Sequence, residues 1–386
     1  MKSRRSLVYL DNAATTFPKP PEVIRRVREC MTYECGNPGR GSHALAMAAA
    51  EEIYRCREVA AAFFGASAER VIFTLNTTHA LNIAIKGLLR AGDHAVCSDM
   101  EHNSVYRPLW KLQKAGVITL DTFDTYPHLP HVSPELILSS LSARITPLTR
   151  MVVCAHASNI CSATLPIAEI GAYCHRRGIL FVVDGAQSAG ALDINVDAMH
   201  IDALCVPGHK GLYGPQGTGM LILGKDVRME TLMEGGNGTD SLLGSMSEEP
   251  PERYEPGTLQ TPAIAGLRTG IEYVSSVGID VIRAHEAQLY RRAWSELADM
   301  RGVTVYAPTR AGSVLLFSVK GISSEEIGKR LDENGICVRP GFHCSALGHR
   351  TLGTPREGAV RVSFGYKNTE RDADALVRAV KEMVSE

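Results

Sequence analysis

The fold is decided by RMVVCAH (residues 150–156), PIAEIGAYCHRRG (residues 166–178) and ILFVVDGA (residues 179–186). The first and last segments are short, continuous apolar runs rich in β-branched residues, a pattern typical of strands buried on both faces. The middle segment has Pro166 near its start and Gly178 at its end, as helices commonly do. Strand, helix and strand in this order predict a parallel βαβ unit.

The same alternation extends in both directions along the chain. Further apolar runs are RVIFT (70–74), HAVCS (94–98), DALCV (202–206) and GMLIL (219–223), and helical patterns lie between several of them. We therefore predict an α/β fold, with a large domain built on a mainly parallel central sheet that helices cover on both faces. Functional residues of such sheets lie at the carboxyl ends of the strands.

A change of composition near residue 250 predicts a domain boundary. The segment EEPPERYEPG (248–257) is rich in proline and charge, and the chain beyond it combines long helices with a few strands. We predict a large domain over residues 15–256 and a smaller α+β domain over residues 257–386. The N-terminal arm, residues 1–14, is assigned to the smaller domain.

Composition excludes several classes of function. The 386 residues carry a formal net charge of −1, so no basic surface for nucleic acid is expected. No apolar run approaches the roughly 20 residues that span a bilayer. The ten cysteines are scattered, and the first residues do not form a secretory signal, so we expect reduced thiols and a cytoplasmic protein.

Three polar stretches follow predicted strands. Asp184 follows ILFVV, Lys210 lies in PGHKGLYGPQGTG (207–219) after DALCV, and LNTTH (75–79) follows VIFT. Each alone has a simpler interpretation: Asp184 as a helix cap, Lys210 as a solvated surface residue, LNTTH as a helix start. Together they supply an acid, an amine and anion-binding donors at one sheet edge. That set suits pyridoxal phosphate, which needs a Schiff-base lysine, an acid for its ring nitrogen and donors for its phosphate.

A series of motifs in fixed order makes a family resemblance specific. They are YLDNAATT, NPGRGSH, MEHNSVYRPL, HASNICSAT, VDGAQSAG, GHKGLYGP, EPGTLQTP, RPGFHC and RVSFGYKNT. The chain resembles the class V, fold-type I pyridoxal-phosphate enzymes in this order of motifs, from about residue 8 to residue 384. With RPGFHC included, it is similar to the cysteine desulfurase group, which also contains selenocysteine lyase-like enzymes.

The resemblance implies roles around the cofactor ring. Lys210 would form the Schiff base, and Asp184 would pair with the ring nitrogen. Gln187 would hydrogen-bond the phenolate oxygen. His102 would stack on the ring face and could transfer protons; a packed loop histidine is its simpler interpretation.

The resemblance also implies a phosphate site and a homodimer. Thr77, Thr78 and His209 would hold the phosphate, and Thr258 would reach the phosphate of the neighbouring subunit. One departure from the family pattern is Pro207, where a phosphate-binding serine is common. Proline has neither a hydroxyl nor an N–H, so the three other residues must contribute more.

For the substrate, the resemblance implies that Asn159 and Arg361 hold the carboxylate of L-cysteine, a task that suits the bidentate geometry of arginine. Arg339 would be a second arginine of the active site, beside the loop that contains Cys344.

Four interpretations of Cys344 are open from its neighbours. A metal site with His343 and His349 has poor spacing and lacks a fourth ligand. A disulfide is disfavoured by the expected compartment, and a buried, space-filling cysteine is the serious alternative. Cys344 nevertheless lies among glycine and polar residues in a loop that we expect to be exposed and mobile. His343 and the arginines should favour its thiolate, so we predict a nucleophile.

The predicted reaction converts L-cysteine to L-alanine and leaves a persulfide on Cys344, which passes to an acceptor. Selenocysteine lyase and cysteine sulfinate desulfinase stay open, because they share the lysine and the fold. A class V aminotransferase, in which Cys344 is incidental, and a non-catalytic sulfur-carrier scaffold also stay open. Residues 236–258 look shorter than in the desulfurase subgroup that has an extended hairpin there. The short spacing from Cys344 to Arg361 nevertheless fits that subgroup. The subgroup, and with it the sulfur acceptor, is therefore undetermined.

Overall fold

The computed structural model describes residues 7–39, 41–238, 242–307, 312–354 and 356–385. Its strands are β1 (Val8–Tyr9), β2 (Val71–Thr74), β3 (His94–Ser98), β4 (Thr119–Phe123), β5 (Thr149–Ala155), β6 (Leu180–Asp184), β7 (Ala203–Pro207), β8 (Gly219–Leu223), β9 (Val303–Tyr306), β10 (Val314–Val319), β11 (Ile336–Cys337), β12 (Arg339–Gly341) and β13 (Ala359–Ser363). Its α-helices are α1 (Pro21–Tyr33), α2 (Ala44–Phe64), α3 (Thr77–Leu88), α4 (Asn103–Lys114), α5 (Pro134–Ser142), α6 (Ile167–His175), α7 (Thr261–Val277), α8 (Ile279–Ala298), α9 (Ser324–Glu333), α10 (Ala346–Leu352) and α11 (Glu370–Ser385). Short 3-10 helices lie at Ala68–Arg70 and Glu252–Tyr254.

A seven-stranded sheet forms the centre of the molecule, with strand order β2-β8-β7-β6-β5-β3-β4. The pairs from β7 through β6, β5 and β3 to β4 are parallel, and only β8 runs antiparallel to its two neighbours. The predicted α/β fold with a mainly parallel central sheet is confirmed.

Helices cover both faces because alternate residues of each strand point to opposite sides. Phe181 and Val183 pack into one apolar cluster with α2 and α6, and Val182 between them packs into another with α3 and α4. A strand buried on both faces must be apolar throughout, which is the pattern seen from residue 180 to residue 183. The parallel strands therefore end at one common edge, where Asp184 and Pro207 lie.

A second, antiparallel sheet has strand order β12-β13-β10-β9 and packs against α8, α9 and α11. Strand β1 pairs in parallel with β11, and Leu10 enters the same apolar cluster, so residues 7–10 of the arm pack on this part of the chain. Helix α7 instead contributes Ile264, Leu267 and Ile271 to a cluster of the large sheet. The boundary between residues 256 and 257 stays a prediction.

No helix among the described residues combines the length and the apolar character that crossing a membrane requires. All ten cysteines are free thiols, and seven of them are buried.

Candidate functional site

Asp184 is the last residue of β6, where the neighbouring parallel strand β7 places Cys205 beside it. The carboxylate is 3% exposed and its Oδ1 accepts a hydrogen bond from the N–H of Ala186 at 2.9 Å, so it does cap the following turn. Burial raises the pKa of Asp184, while that hydrogen bond and the charge of Lys210 act in the opposite direction. The acid therefore faces a buried amine at the sheet edge.

Lys210 lies in the loop after β7. Burial lowers its pKa to about 8, a shift that Asp184 opposes and that Arg361 and Arg339 reinforce. A lysine of this kind holds an appreciable neutral fraction near neutral pH, which a nucleophilic or basic amine requires. The interpretation of Lys210 as a solvated surface residue does not match this environment.

The N-terminal arm fixes the backbone of the Lys210 loop. The carbonyl of His209 accepts hydrogen bonds from Thr15 Oγ1 at 3.1 Å and from Lys19 Nζ at 2.6 Å, and Thr16 Oγ1 donates to the carbonyl of Lys210 at 3.0 Å. These contacts join residues about 190 positions apart in the chain. They explain why the motif YLDNAATT belongs to the site.

The start of α3 forms a polar cradle. Asn76 caps the helix by accepting a hydrogen bond from the N–H of His79 at 3.0 Å. The Thr77 hydroxyl and Nδ1 of His209 are buried without a hydrogen-bond partner among the described residues. Buried polar atoms are rarely left unpaired, so two such atoms beside a helix N-terminus fit an anionic group.

His102 is the N-cap of α4, which matches its simpler interpretation as a packed loop residue. Its Nδ1 accepts from the N–H of Ser104 at 3.0 Å, and Ser104 Oγ in turn contacts Thr78 Oγ1 at 2.7 Å. Burial, with the charges of Lys210 and of nearby arginines, lowers the pKa of His102 to about 4, so the ring is neutral at neutral pH. A neutral, oriented ring is suited to stacking.

A cavity with about 520 Å³ of empty space opens at this edge. The predicted site residues that line it are Thr77, Thr78, His102, Asn159, Asp184, Gln187, His209 and Lys210. Pro207 lines it as well and offers no donor. Gln187 Nε2 donates to the carbonyl of Ala13 at 3.0 Å, so the arm orients this side chain too. The predicted residues that do not line this cavity are Cys344, Thr258, Arg339 and Arg361.

Arg361 connects the cavity to the smaller sheet. Its side chain is 2% exposed; NH2 donates to Asp11 Oδ1 at 2.6 Å and NH1 to the carbonyl of Asn159 at 3.1 Å, while Nε has no partner among the described residues. Arg339 is its register partner across β12 and β13. Two arginines thus lie next to each other beside Asn159.

The Cys344 side chain is exposed, so the space-filling interpretation is wrong for this cysteine. Its loop, however, is held by three hydrogen bonds. The carbonyl of Cys344 accepts from the N–H of Asn103 at 2.7 Å, and Ser345 Oγ donates to the carbonyl of Glu101 at 3.2 Å. The carbonyl of His343 accepts from Asn159 Nδ2 at 2.8 Å. The loop that sequence predicts as mobile is therefore held from two sides, and Cys344 lies next to the segment that contains His102.

The cysteine loop contains neither a metal-binding cluster among the described residues nor a positively charged histidine at position 343. Among the described residues no group of three histidine, cysteine or acidic side chains could hold a metal ion. Burial lowers the pKa of His343 to about 3, so this ring is neutral and does not add the positive charge expected beside Cys344. Positive charge near the loop comes from arginines instead.

Thr258 is exposed and lines a different cleft of its own chain, together with Phe73 and His79. Sequence reasoning missed Glu101, which is fully buried between the strand ends with Oε2 unpartnered among the described residues. It also missed Asp11 and Ser104, which orient Arg361 and His102. The position of Glu101 directly before His102 was the only local signal available.

Comparisons with known proteins identify the family of the chain. The family model of class-V aminotransferases matches residues 8–376. A probable cysteine desulfurase of Methanothermobacter thermautotrophicus is 34% identical over 392 residues, an alignment that covers 98% of this chain and 95% of the relative. A cysteine desulfurase of Dickeya dadantii is 33% identical over 383 residues, which cover 96% of this chain and 90% of that relative. The apo structure of a cysteine desulfurase from Thermococcus onnurineus NA1 superposes with a TM-score of 0.89 at 30% identity, covering 98% of this chain and 95% of that one.

Proposed function

The chain belongs to the class-V aminotransferase family and groups there with the cysteine desulfurases, and on this basis we propose that it is a pyridoxal-phosphate enzyme that converts L-cysteine to L-alanine and holds the released sulfur on Cys344. The observation that carries the proposal is the position of an exposed cysteine whose backbone is hydrogen-bonded to Asn103, the neighbour of a histidine that lines the Lys210 cavity.

The residues present fit the cofactor. Lys210 would hold its aldehyde, Asp184 its ring nitrogen and Gln187 its phenolate oxygen, with His102 against the ring face. The Thr77 hydroxyl and Nδ1 of His209, which have no hydrogen-bond partner among the described residues, would bind the phosphate. A second hydroxyl, Thr78, is close by, so the cradle keeps donors although Pro207 has none. When bound, pyridoxal phosphate supplies an electron sink for the bonds at Cα and Cβ of the amino acid.

Lys210 moves the protons. With a pKa near 8 the amine is a competent base close to neutral pH, and it takes the Cα proton of bound L-cysteine. His102 is neutral and held by Ser104, so it would pack against the ring without bringing a second positive charge into the cavity. Asp184 would be the acidic partner of the cofactor at this edge.

Cys344 takes the sulfur. Its thiolate attacks the sulfur of L-cysteine: the new Sγ–S bond forms, the S–Cβ bond breaks, and the electron pair of that bond stays with the three-carbon fragment. Protons complete that fragment as L-alanine, and the protein keeps one extra sulfur atom as a persulfide. A sulfur-acceptor protein can take this atom, or two equivalents of a thiol reductant release it as sulfide and become a disulfide.

The substrate carboxylate would bind between Arg361 and Asn159. The Nε of Arg361 is buried and has no partner among the described residues, which favours an anion with two oxygens. Arg339, its neighbour across the strands, would add a second positive charge on the side of the cysteine loop.

We further propose a homodimer. Helices α1 and α2 expose large apolar side chains, and the most exposed of them are Ile24, Met31, Tyr33, Leu45, Met47 and Tyr54. These side chains would be available for burial against a second copy of the chain. Thr258, exposed and outside the cavity of its own chain, would complete the phosphate site of the partner. A reducing cytoplasm agrees with ten free thiols.

The test is to incubate the purified, cofactor-loaded protein with L-cysteine and dithiothreitol and to quantify alanine and sulfide together. Equal amounts of both, lost in Cys344→Ala while its visible cofactor band persists, support the proposal. Activity with L-selenocysteine or cysteine sulfinate but not L-cysteine would assign the alternative lyase or desulfinase activity. Amino transfer to keto acids that survives Cys344→Ala would overturn the desulfurase.

A further inference from the structure

Two buried histidines, one in the cysteine loop and one in α10, take no part in the reaction proposed above. His343 and His349 are 4% and 3% exposed, their rings stack with centroids 5.2 Å apart, and Nδ1 of His343 lies 2.9 Å from Nε2 of His349. Neither ring lines the cavity that contains Lys210.

The hydrogen bonds of this pair run in one direction. The carbonyl of Arg339 can only accept, so His343 Nε2, at 2.8 Å from it, carries a hydrogen. Burial lowers the pKa of His343 to about 3 and that of His349 to about 4, so each ring carries one hydrogen at neutral pH. Nδ1 of His343 then accepts from Nε2–H of His349, and Nδ1 of His349 accepts from the hydroxyl of Thr354 at 2.8 Å.

The chain of hydrogen bonds passes through His343, whose backbone has an unfavourable conformation. His343 has φ +53 and Cys344 has φ +56, two consecutive non-glycine residues in the left-handed region. Each such residue costs free energy and persists only where the surroundings fix it. In this conformation the ring of His343 is buried and the thiol of Cys344 is exposed.

We propose that His349 is a positioning residue for Cys344. Acting through His343, it holds the loop of residues 341–345 in the left-handed conformation that presents the thiol outward. This inference rests on the proposed function, in which Cys344 must reach the substrate sulfur. His349 touches neither substrate nor cofactor, and its effect is confined to the step that uses the thiol.

Two variants of His349 separate positioning from simple packing. His349→Phe keeps a ring and its edge contact with Phe342, whose centroid is 5.4 Å away, but removes the donor to His343. His349→Gln keeps a donor and an acceptor on a side chain of similar reach. We expect alanine formation from L-cysteine to fall about 10- to 100-fold in the phenylalanine variant, because misplacing a reacting atom by about 1 Å costs roughly that much. In the glutamine variant it stays within about threefold of wild type.

A reaction that needs Lys210 but not Cys344 provides the control. Exchange of the Cα hydrogen of L-alanine in D2O, followed by NMR, should proceed at wild-type rate in both variants and be absent in Lys210→Ala. A second readout uses the protein without cofactor. Hydrogen exchange of the Asn103 amide, which donates to the carbonyl of Cys344, and of residues 341–345 should be faster in His349→Phe only.

The inference is overturned if His349→Phe forms alanine at the wild-type rate. It is also overturned if both variants lose Cα exchange and alanine formation together, which would show a general structural role. If the wild-type protein makes no alanine from L-cysteine, the proposed function fails, and the hydrogen-exchange comparison alone decides whether His349 fixes the loop.

Discussion

Replacing Arg361 by lysine would measure how much of the substrate's binding depends on the guanidinium. Two of its five N–H groups are occupied, one by Asp11 and one by the carbonyl of Asn159. The other three, including the Nε–H that has no partner among the described residues, can hold both oxygens of a carboxylate. Lysine has three N–H groups, so after serving Asp11 and Asn159 it keeps one for the substrate.

The variant therefore loses one charge-assisted hydrogen bond to the carboxylate, worth about 1.5–3 kcal/mol. At about 1.4 kcal/mol for each factor of ten, KM for L-cysteine should rise roughly 10- to 150-fold, with a smaller change in kcat. The assay is steady-state alanine formation. Cysteamine, which lacks the carboxylate and would give ethylamine instead of alanine, is the matched substrate control; with dithiothreitol present, wild type and Arg361→Lys should release sulfide from it at the same slow rate.

Two results would refute this reasoning. An unchanged KM for L-cysteine would mean that Arg361 does not hold the carboxylate. An equal loss with L-cysteine and cysteamine would mean that the substitution disturbs the fold, which denaturant unfolding of the variant would then reveal. Asp11→Asn keeps an oxygen acceptor for Arg361 and serves as the conservative control, with a smaller rise in KM than Arg361→Lys.

Three more substitutions give independent predictions. Thr77→Val removes a hydroxyl that has no partner among the described residues, so apo stability should be unchanged while cofactor affinity, titrated by absorbance, falls about fivefold or more. Asp184→Asn still accepts from Ala186, so the protein should fold, but turnover of L-cysteine should fall about 10²–10³-fold with loss of the ring-nitrogen partner. Burial raises the pKa of Glu101 to about 8, so the stability contributed by its neutral form is fully present below about pH 4.5 and is lost progressively up to pH 8. Glu101→Gln, which stays uncharged, should therefore gain about 1–3 kcal/mol over wild type in urea unfolding at pH 8.5, and roughly half of that at pH 6.

Each of these predictions has a contrary result. A cofactor affinity of Thr77→Val equal to wild type would remove Thr77 from the phosphate site. Wild-type turnover in Asp184→Asn would assign that residue to capping alone. A stability difference for Glu101→Gln that is the same at pH 6 and at pH 8.5 would show that the carboxyl is already charged in the fold at pH 6.

The sheet was predictable because its signal is local. Strands buried on both faces are apolar throughout, as in the residues before Asp184, and their polar successors must meet at one edge whatever the details of the loops. Lys210 and Thr77 follow strands in the same way. The strand pattern therefore located the sheet edge with Asp184, Lys210 and Thr77, and the family resemblance named the other predicted residues that line the cavity.

The contacts that tune the site were not predictable, because each joins residues far apart in the chain. The arm residues Thr15 and Lys19 reach the carbonyl of His209 across about 190 positions, and Asp11 reaches Arg361 across 350. No periodicity records such pairs. The charge state of His343 was missed for a related reason, since its ring is buried against His349 and the carbonyl of Arg339, contacts that form only in the folded chain.

The central claim is that one sulfur atom passes from L-cysteine to Cys344 while Lys210 moves the proton at Cα. The most direct measurement is a single turnover without reductant, in which alanine is counted against persulfide located by mass spectrometry on peptides of the protein. The account predicts one alanine for each persulfide, with the extra sulfur on Cys344 and neither product in Lys210→Ala. Alanine formed without a persulfide on Cys344, or formed at the same rate by Cys344→Ala, would contradict it.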